Sequence, residues 1–224
     1  AEVDPSPFPE LKGYSIGRHN DEFREIAFDL PKTVADGAGK ATLILDPSTA
    51  RPQSSKPLRL HAVVSAIEPG GRAVRDDVRV AFRPNDRYVG IKPKFEDSAK
   101  EHEQAEFELV TVDRNGALKA GNVNWKLVRI DWKYDWYRAD GGAWQWRQSR
   151  EVIAVEEGVA KFGDGQRGNI KTSHRLDWGD YELMLTDTGT GAEGSTSFYV
   201  GWGGGGAATA APAAQATSAR VLTA

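Results

Sequence analysis

The stretch Trp125-Lys-Leu-Val-Arg-Ile-Asp-Trp-Lys-Tyr-Asp-Trp-Tyr137, followed closely by Trp144-Gln-Trp146, decides the fold class of this chain. Its apolar residues recur at every second position, which is typical of a β-strand with one buried face. The apolar phase shifts between Leu127 and Ile130. Because a one-residue shift turns side chains to the other face, we expect a β-bulge near residues 128–129.

The turn of this hairpin is predicted at residues 138–142, which include two glycines. Pairing Tyr137 with Ala143 sets the expected register, and two cross-strand aromatic pairs follow from it. These pairs are Trp136 with Trp144 and Tyr134 with Trp146. Because side chains alternate along a strand, five aromatic side chains then share one face. The five are Trp132, Tyr134, Trp136, Trp144 and Trp146.

A face of five large aromatic side chains is too apolar to stay bare in a soluble monomer. We therefore expect these residues to form an interface, either with their own domain or with a neighbouring domain. If the ring of Trp136 is buried, Trp136→Ala should destabilise the domain by about 3–5 kcal/mol. The opposite face suits water, since it holds Asp131, Lys133, Asp135, Gln145 and Arg147.

A second, smaller β unit is predicted in the N-terminal part of the chain. Residues 58–66 and 74–82 alternate and flank the turn sequence Glu68-Pro69-Gly70-Gly71. Shorter alternations around residues 26–30 and 40–45 predict two further strands. Four strands leave one apolar face uncovered, whereas a sandwich has about seven, so we expect this first unit to be truncated.

These patterns predict an all-β protein made of tandem antiparallel β-sandwich domains. Residues 1–86 are expected to be the C-terminal part of one sandwich, and residues 87–202 a complete sandwich that carries the tryptophan hairpin. Four consecutive glycines and an Ala/Thr/Pro/Ser-rich stretch predict a flexible linker over residues 203–224. A start without methionine and the missing strands together favour an excised piece of a longer polypeptide.

Composition argues against several classes of function. The net charge is −3 and the isoelectric point is near 5.9, with basic residues scattered between acids, which argues against nucleic-acid binding. There are no cysteines, so disulfides, thiol nucleophiles and thiolate zinc sites are excluded. No apolar run approaches the roughly 20 residues that cross a bilayer, and we expect no direct membrane insertion.

No catalytic, cofactor-binding or metal-binding residue is predicted, and we expect the chain not to be an enzyme. The four histidines, His19, His61, His102 and His174, show no metal-ligand spacing. Neighbouring acidic residues on a strand point to opposite faces, which suits no two-carboxylate mechanism. The glycine-rich residues 163–168 precede no helical pattern, so we expect a turn there and not a phosphate loop.

Two turn motifs support the fold. Asp113-Arg114-Asn115-Gly116 lacks the later acidic ligands of a calcium loop and predicts a tight turn. In Asp177-Trp178-Gly179-Asp180-Tyr181, a glycine turn precedes a tyrosine that opens a strand. This arrangement is typical of the tyrosine corner of β-sandwiches, in which the hydroxyl binds a nearby backbone group.

Several of these segments together resemble bacterial alpha-2-macroglobulin family proteins over residues 10 to 202. The segments are Gly13-Tyr-Ser-Ile-Gly17, Ala66-Ile-Glu-Pro-Gly-Gly-Arg-Ala-Val74, Tyr88-Val-Gly-Ile-Lys-Pro93, the run from Trp125 to Tyr137, Asp177-Trp-Gly-Asp-Tyr-Glu-Leu183 and Ser197-Phe-Tyr-Val-Gly-Trp202. The resemblance implies macroglobulin-like domains of the immunoglobulin-like or fibronectin-like type.

The resemblance also implies a function for a longer protein. Family members are large periplasmic protease traps, often tethered to the inner membrane by an N-terminal lipid. A protease cleaves a bait segment, the scaffold rearranges, and a Cys–Gln thioester captures the protease. This chain has no cysteine, so the resemblance implies a non-catalytic scaffold piece upstream of the thioester domain. Its expected partners are neighbouring domains and, for the whole protein, target proteases.

Two other functions are compatible with the residues. The tryptophan hairpin could serve as the sugar-stacking platform of a carbohydrate-binding or adhesin-like module. The chain could also be a plain structural spacer. Binding of the fragment to insoluble glycans, as opposed to binding of the longer protein to proteases, discriminates between the first two functions.

Overall fold

A computed structural model describes residues 1–24, 27, 29–44, 53–67, 70–138 and 144–201. In these residues the chain forms β-strands and one 3₁₀ turn, Pro9–Leu11, and it contains no α-helix. Within these ranges the strands pair antiparallel, apart from one short parallel contact between residues 99–100 and 200–201. The prediction of an all-β protein with antiparallel sandwich architecture is confirmed. No helix in the described ranges is long and apolar enough to cross a membrane.

The second unit is a sandwich of two sheets. Its strands are β5 (Arg87–Pro93), β6 (Ala99–Lys100), β7 (Glu106–Asp113), β8 (Leu118–Lys119), β9 (Gly121–Arg138), β10 (Trp144–Phe162), β11 (Gly168–Lys171), β12 (Gly179–Asp187) and β13 (Glu193–Gly201). One sheet has the order β10-β9-β12-β13-β6. The other has the order β11-β7-β5-β2, where β2 (Ser15–Ile16) comes from the N-terminal segment and β8 pairs with β7.

The main core lies between these two sheets. Phe107, Leu109, Leu127 and Leu183 are completely buried and belong to one hydrophobic cluster. Phe198 packs between the sheets, with its ring centroid 5.1 Å from that of Phe107. Phe107 and Leu109, two residues apart in β7, point to the same side because side chains alternate along a strand.

The N-terminal segment covers the outer face of the second sheet. Phe8 and Leu11 are buried there against Tyr88, Val110 and Val112, which point away from the main core. The proline-rich start of the chain is thus anchored on the second unit by two apolar side chains.

The first unit is a three-stranded sheet in the order β1-β3-β4, with β1 (Glu2–Val3), β3 (Leu58–Ala66) and β4 (Val74–Phe82). The predicted hairpin of residues 58–66 and 74–82 is confirmed, with Leu58 opposite Phe82 and Ala66 opposite Val74. Leu58 is buried, whereas the apolar residues nearer the turn, among them Val64, Val78 and Val80, are exposed. One apolar face of this sheet is therefore largely uncovered, as the strand count predicts.

The two further strands predicted in this unit are not found in the described residues. Residues 29–30 and 40–44 are irregular, and Ile44 is 88% exposed. Alternation alone does not make a strand when no partner strand or packed surface is available to it. Ile26, Phe28, Leu45 and the predicted turn at residues 68–69 lie outside the described residues, as does the predicted linker over 203–224.

The predicted turn motifs are confirmed. The Asp113 carboxylate accepts hydrogen bonds from the backbone of Asn115 (2.9 Å) and Ala117 (3.1 Å), and Gly116 adopts a positive φ of 86°. The tyrosine corner is also present, since the Tyr181 hydroxyl donates to the carbonyl oxygen of Asp177 at 3.0 Å. Burial raises the pKa of that Tyr181 hydroxyl.

Candidate interaction surface

The tryptophan hairpin extends beyond the sandwich as a two-stranded ribbon. Strand β12 pairs with β9 as far as Ile130, which lies opposite Asp180. Beyond that point, in the part of the chain that the structure describes, residues 131–138 and 144–151 pair only with each other. We call these two segments the ribbon. At about 3.3 Å per residue it projects roughly 25 Å from the sheet.

The register of the ribbon differs from the predicted one by two residues. Trp146 lies opposite Trp136, and Trp144 lies opposite Arg138. The predicted pairs, Trp136 with Trp144 and Tyr134 with Trp146, are therefore wrong. The reason is the turn, because strand pairing includes Arg138 and leaves residues 139–143 as the connection. These connecting residues lie outside the described part of the chain.

A shift of two residues leaves each side chain on its face. Five rings consequently share one face of the ribbon, which we call the aromatic face. They are Trp132, Tyr134, Trp136, Trp144 and Trp146. The rings of Tyr134 and Trp146 are diagonal neighbours, with centroids 6.1 Å apart and planes inclined by 41°. The Tyr134 hydroxyl accepts a hydrogen bond from the Gln148 amide at 3.2 Å.

The aromatic face points away from the sandwich core. Strand β9 pairs with β12 without interruption from Val123 to Ile130, so Leu127 points inward and Val128 outward. The expected bulge near residues 128–129 of β9 is wrong. A register shift does occur at this level, but it lies in β10, between Ala154 and Glu156. The phase change in the sequence therefore has another cause: the apolar residues lie on the inner face of β9 up to Leu127 and on its outer face from Val128 onward.

The five rings are largely exposed to solvent. Their exposed fractions range from 47% for Trp132 to 67% for Trp136 and Trp144. Of the two interfaces expected for this face, packing on its own domain is therefore wrong, and packing against a neighbouring domain stays a prediction. The loss of about 3–5 kcal/mol foreseen for Trp136→Ala applied only to a buried ring, and it does not follow for this one. A contiguous apolar patch of this kind is typical of an interaction site.

The opposite face of the ribbon is charged. Lys133 reaches Glu151 across the strands at 2.5 Å, and Arg129 reaches Asp131 at 2.9 Å. The hydrogen bond that Lys133 donates to Glu151 raises the pKa of the Lys133 ammonium group. This face is solvated, as predicted, so the two faces of the ribbon differ sharply in polarity.

At the base of the ribbon lies a buried polar contact between the two units, which sequence reasoning missed. The Glu182 side chain, only 5% exposed, accepts a hydrogen bond from Arg150 at 2.7 Å. His19 Nδ1 lies 3.6 Å from the same carboxylate and 2.8 Å from Ser195 Oγ. His19 precedes Ser195 by 176 positions, and no local pattern links residues so far apart.

These residues include a serine, a histidine and a carboxylate, but their arrangement is not that of a catalytic triad. In a triad, one imidazole nitrogen faces the serine and the other faces the acid. Here the single atom Nδ1 of His19 faces both Ser195 and Glu182. Ser195 is also 1% exposed. The contact therefore serves to hold the two units together.

Residues 17–21 link the two units. We call this segment the joint. Gly17 donates its backbone N–H to the Val89 carbonyl at 3.0 Å and accepts one from Ser195 at 3.1 Å. Its φ is +76°, and a Cβ atom there would lie 2.6 Å from the Ser55 carbonyl oxygen. Glycine is needed at this position because both the conformation and the space exclude a side chain.

Asp21 fixes the other end of the joint. Its carboxylate accepts hydrogen bonds from the Ser55 backbone at 2.6 Å and the Ser55 hydroxyl at 2.7 Å, and one from the Ser54 hydroxyl at 3.2 Å. Burial by itself would raise the pKa of Asp21, but these hydrogen bonds outweigh it and hold the pKa below its ordinary value. The joint is thus built from several buried or half-buried polar contacts.

The remaining histidines form no site. His61 lies 3.0 Å from Asp77, His102 lies 3.4 Å from Asp177, and His174 lies 3.2 Å from Glu156. These contacts lie at the surface, and His102 is also 3.8 Å from Glu101. In the described ranges no group of three or more His, Asp or Glu side chains is placed to hold a metal ion.

Comparisons with protein families match both units. The model described as "Bacterial Alpha-2-macroglobulin MG5 domain" matches residues 2–84, and that described as "Bacterial macroglobulin domain 6" matches residues 90–202. Alpha-2-macroglobulins of Xylella fastidiosa strains 9a5c and Temecula1 are 31% identical to the chain over 166 and 160 residues. In each case 69% of the chain is covered, and it spans only 10% of the relative's length.

Solved structures with a similar fold include two alpha-2-macroglobulins. The native conformation of the Escherichia coli protein has a TM-score of 0.66 and 21% identity, covering 89% of this chain and 13% of that one. The Salmonella protein reacted with methylamine has a TM-score of 0.68 and 21% identity, covering 90% of this chain and 14% of that one. At these identities the likeness concerns the fold.

Proposed function

We propose that this chain, which belongs to the bacterial alpha-2-macroglobulin family, is a non-catalytic scaffold portion of a protease-trapping inhibitor. The observation that carries the proposal is the succession of two macroglobulin domain matches, over residues 2–84 and 90–202. The curated relatives are about ten times longer than the matched stretch, since the chain spans 10% of their length. The trapping activity would accordingly belong to a longer polypeptide.

A scaffold role accords with the chemistry of the described residues. The chain contains no cysteine, so a thioester of the kind that the family resemblance implies would have to lie elsewhere in the polypeptide. The His19–Ser195 contact lacks the geometry of a nucleophile with its base, because one ring nitrogen serves both neighbours. The partners in this proposal are neighbouring domains and, for the whole inhibitor, target proteases in the periplasm.

The joint gives the scaffold a mechanical property. Residues 17–21 bind the second unit through His19 and the first unit through Asp21. Arg18 adds an ion pair with Glu193 at 3.3 Å. Because the contacts on both sides are short and partly buried, the two units should move as one body when the inhibitor rearranges.

In the proposed organisation, residues 1–86 belong to one macroglobulin domain and residues 87–202 to the next. Residues 203–224 then form a linker to a further domain of the polypeptide. This division remains a proposal, and limited proteolysis is its test. Cleavage should remove the last residues and leave a core that ends near residue 202.

The protease-trapping proposal is tested with the complete gene product and with the 224-residue chain side by side. Incubated with elastase or trypsin, the complete product should retain the protease and change its shape, as measured by size-exclusion chromatography. The 224-residue chain alone should inhibit neither protease, because it has no thioester and no disulfide-framed inhibitory loop. Stoichiometric inhibition by the chain alone, or no retention by the complete product, would contradict the proposal.

One observation favours a second candidate, a carbohydrate-binding module, because the five rings of the aromatic face are exposed. Aromatic rings on a surface can stack on sugars. Co-sedimentation of the chain with insoluble cellulose, chitin or peptidoglycan tests this candidate. Binding that is lost in Trp136→Ala, with the unfolding midpoint unchanged, would replace the scaffold proposal by this one.

A further inference from the structure

We propose that the aromatic face of the ribbon is the docking site for another domain of the same polypeptide, one outside these two units. This inference rests on the proposed function, since it requires a longer chain. The curated relatives are long enough to contain such a domain, because residues homologous to this chain make up 10% of their length. The matched domains are numbered 5 and 6 in the family, so other domains exist to dock.

The aromatic face continues an inter-unit contact that is already present. His19 of the joint sits beside Glu182, Glu182 binds Arg150, and Arg150 lies directly opposite Trp132 in the ribbon. Glu182, Arg150 and Trp132 lie on the outer face of the same sheet, and His19 contacts that face. Residues 17–19 already cover part of this outer face. A domain docked on the aromatic face would cover the adjoining part.

The size of the aromatic face favours a tethered partner. Five rings with roughly half to two-thirds of their surface exposed present roughly 600 Å² of ring surface. A stable complex of separate proteins buries about 800 Å² on each partner. Two copies apposed through this face alone would lie at the lower end of the range for such complexes, which is about 600–1,000 Å² on each partner, whereas a domain on the same polypeptide benefits from a high effective concentration.

The surroundings of the rings disfavour a sugar ligand. A sugar site combines rings with polar groups that fix the hydroxyls. Of the polar side chains that share this face, Gln148 is engaged with the Tyr134 hydroxyl and Arg150 with Glu182, while Arg138 lies opposite Trp144. The planes of Tyr134 and Trp146 are also inclined by 41° and form no flat platform. A largely apolar protein surface fits this face better.

Docking would stabilise the ribbon. An isolated two-stranded hairpin is marginally stable in water, and this ribbon has no third strand beyond Ile130 within the described residues. Its charged face carries its own ion pairs, whereas its aromatic face leaves large rings in solvent. A domain that covers the aromatic face would remove this apolar surface from water, which is favourable.

Photo-crosslinking in the complete gene product tests the inference. A p-benzoylphenylalanine at position 136 places the probe on the aromatic face, and the same probe at position 133 places it on the charged face as a matched control. We expect position 136 to cross-link within one polypeptide to residues outside this chain. Position 133 should not give that product. The cross-link from position 136 should be lost when Trp144→Ser and Trp146→Ser are combined with it.

Several outcomes would overturn the inference. These are a cross-link between two copies, a cross-link to a residue of the 224, attachment to a glycan, equal yields at positions 133 and 136, and no cross-link at all. If the probe prevents folding, protection of the unsubstituted ribbon tryptophans from oxidation replaces it. Protease retention by the unsubstituted product separates the two proposals. Retention without the cross-link refutes the docking alone, and the cross-link without retention refutes the trapping alone.

Discussion

Replacing Gly17 with alanine should loosen the joint and lower the stability of the chain. Gly17 has a φ of +76°, and the left-handed conformation costs an alanine about 1–2 kcal/mol. Its Cβ would lie 2.6 Å from the Ser55 carbonyl oxygen, which forces the backbone to move. That movement weakens the hydrogen bonds to Val89 and from Ser195, each of which contributes about 0.5–1.5 kcal/mol. The expected loss is about 2–4 kcal/mol.

Gly165 provides the matched control for this prediction. Its φ is +71°, but a Cβ there would meet no atom within 4 Å. Gly165→Ala should therefore cost only the conformational part, about 1–2 kcal/mol. Urea denaturation of both variants, followed by tryptophan emission, gives the two free energies of unfolding. Equal losses in the two variants would refute the argument that the joint is tightly packed at Gly17.

Three further predictions concern the ribbon, the tyrosine corner and the joint. Trp136→Ala should change the free energy of unfolding by less than about 1 kcal/mol because the ring is exposed, whereas Phe107→Ala in the core should cost about 3–5 kcal/mol; similar losses in urea would contradict this. Tyr181→Phe removes one hydrogen bond and should lower the stability by about 0.5–1.5 kcal/mol, so an unchanged midpoint would show the corner to be dispensable. Because the pKa of Asp21 is below its unfolded value of about 3.9, its contribution to stability is present above that pH and is lost as the pH falls through the folded pKa. Asp21→Asn should reduce the dependence of the unfolding midpoint on pH below about 4, and an identical acid limb in both proteins would count against this role.

Much of the strand pattern could be predicted because alternation reports directly on which residues share a face. The hairpin of residues 58–66 and 74–82 and the strand that contains Tyr181 are examples. Alternation does not say which of the two faces meets the core. The rings of the ribbon could thus be grouped correctly and yet be assigned to a buried surface, whereas the pairing of β9 with β12 turns them outward.

The register and the joint could not be predicted, for a different reason. Two glycines at positions 141 and 142 are compatible with a five-residue connection over residues 138–142 or over residues 139–143, and these two choices give pairings that differ by two residues. The joint brings together His19, Glu182 and Ser195, which are far apart along the chain. A single histidine in a loop gives no sequence signal for such a contact.

Hydroxyl-radical footprinting of the ribbon tests the central claim most directly, namely that the aromatic face is an interface between this scaffold and the rest of its polypeptide. The isolated chain has seven tryptophans, of which Trp178, 57% exposed, serves as the reference outside the ribbon. In that chain the four ribbon tryptophans should oxidise about as readily as Trp178, because their exposures are similar. In the complete gene product the same four should be protected, with oxidation read by mass spectrometry of the peptides that contain them. Equal oxidation of the ribbon in both samples would contradict the account.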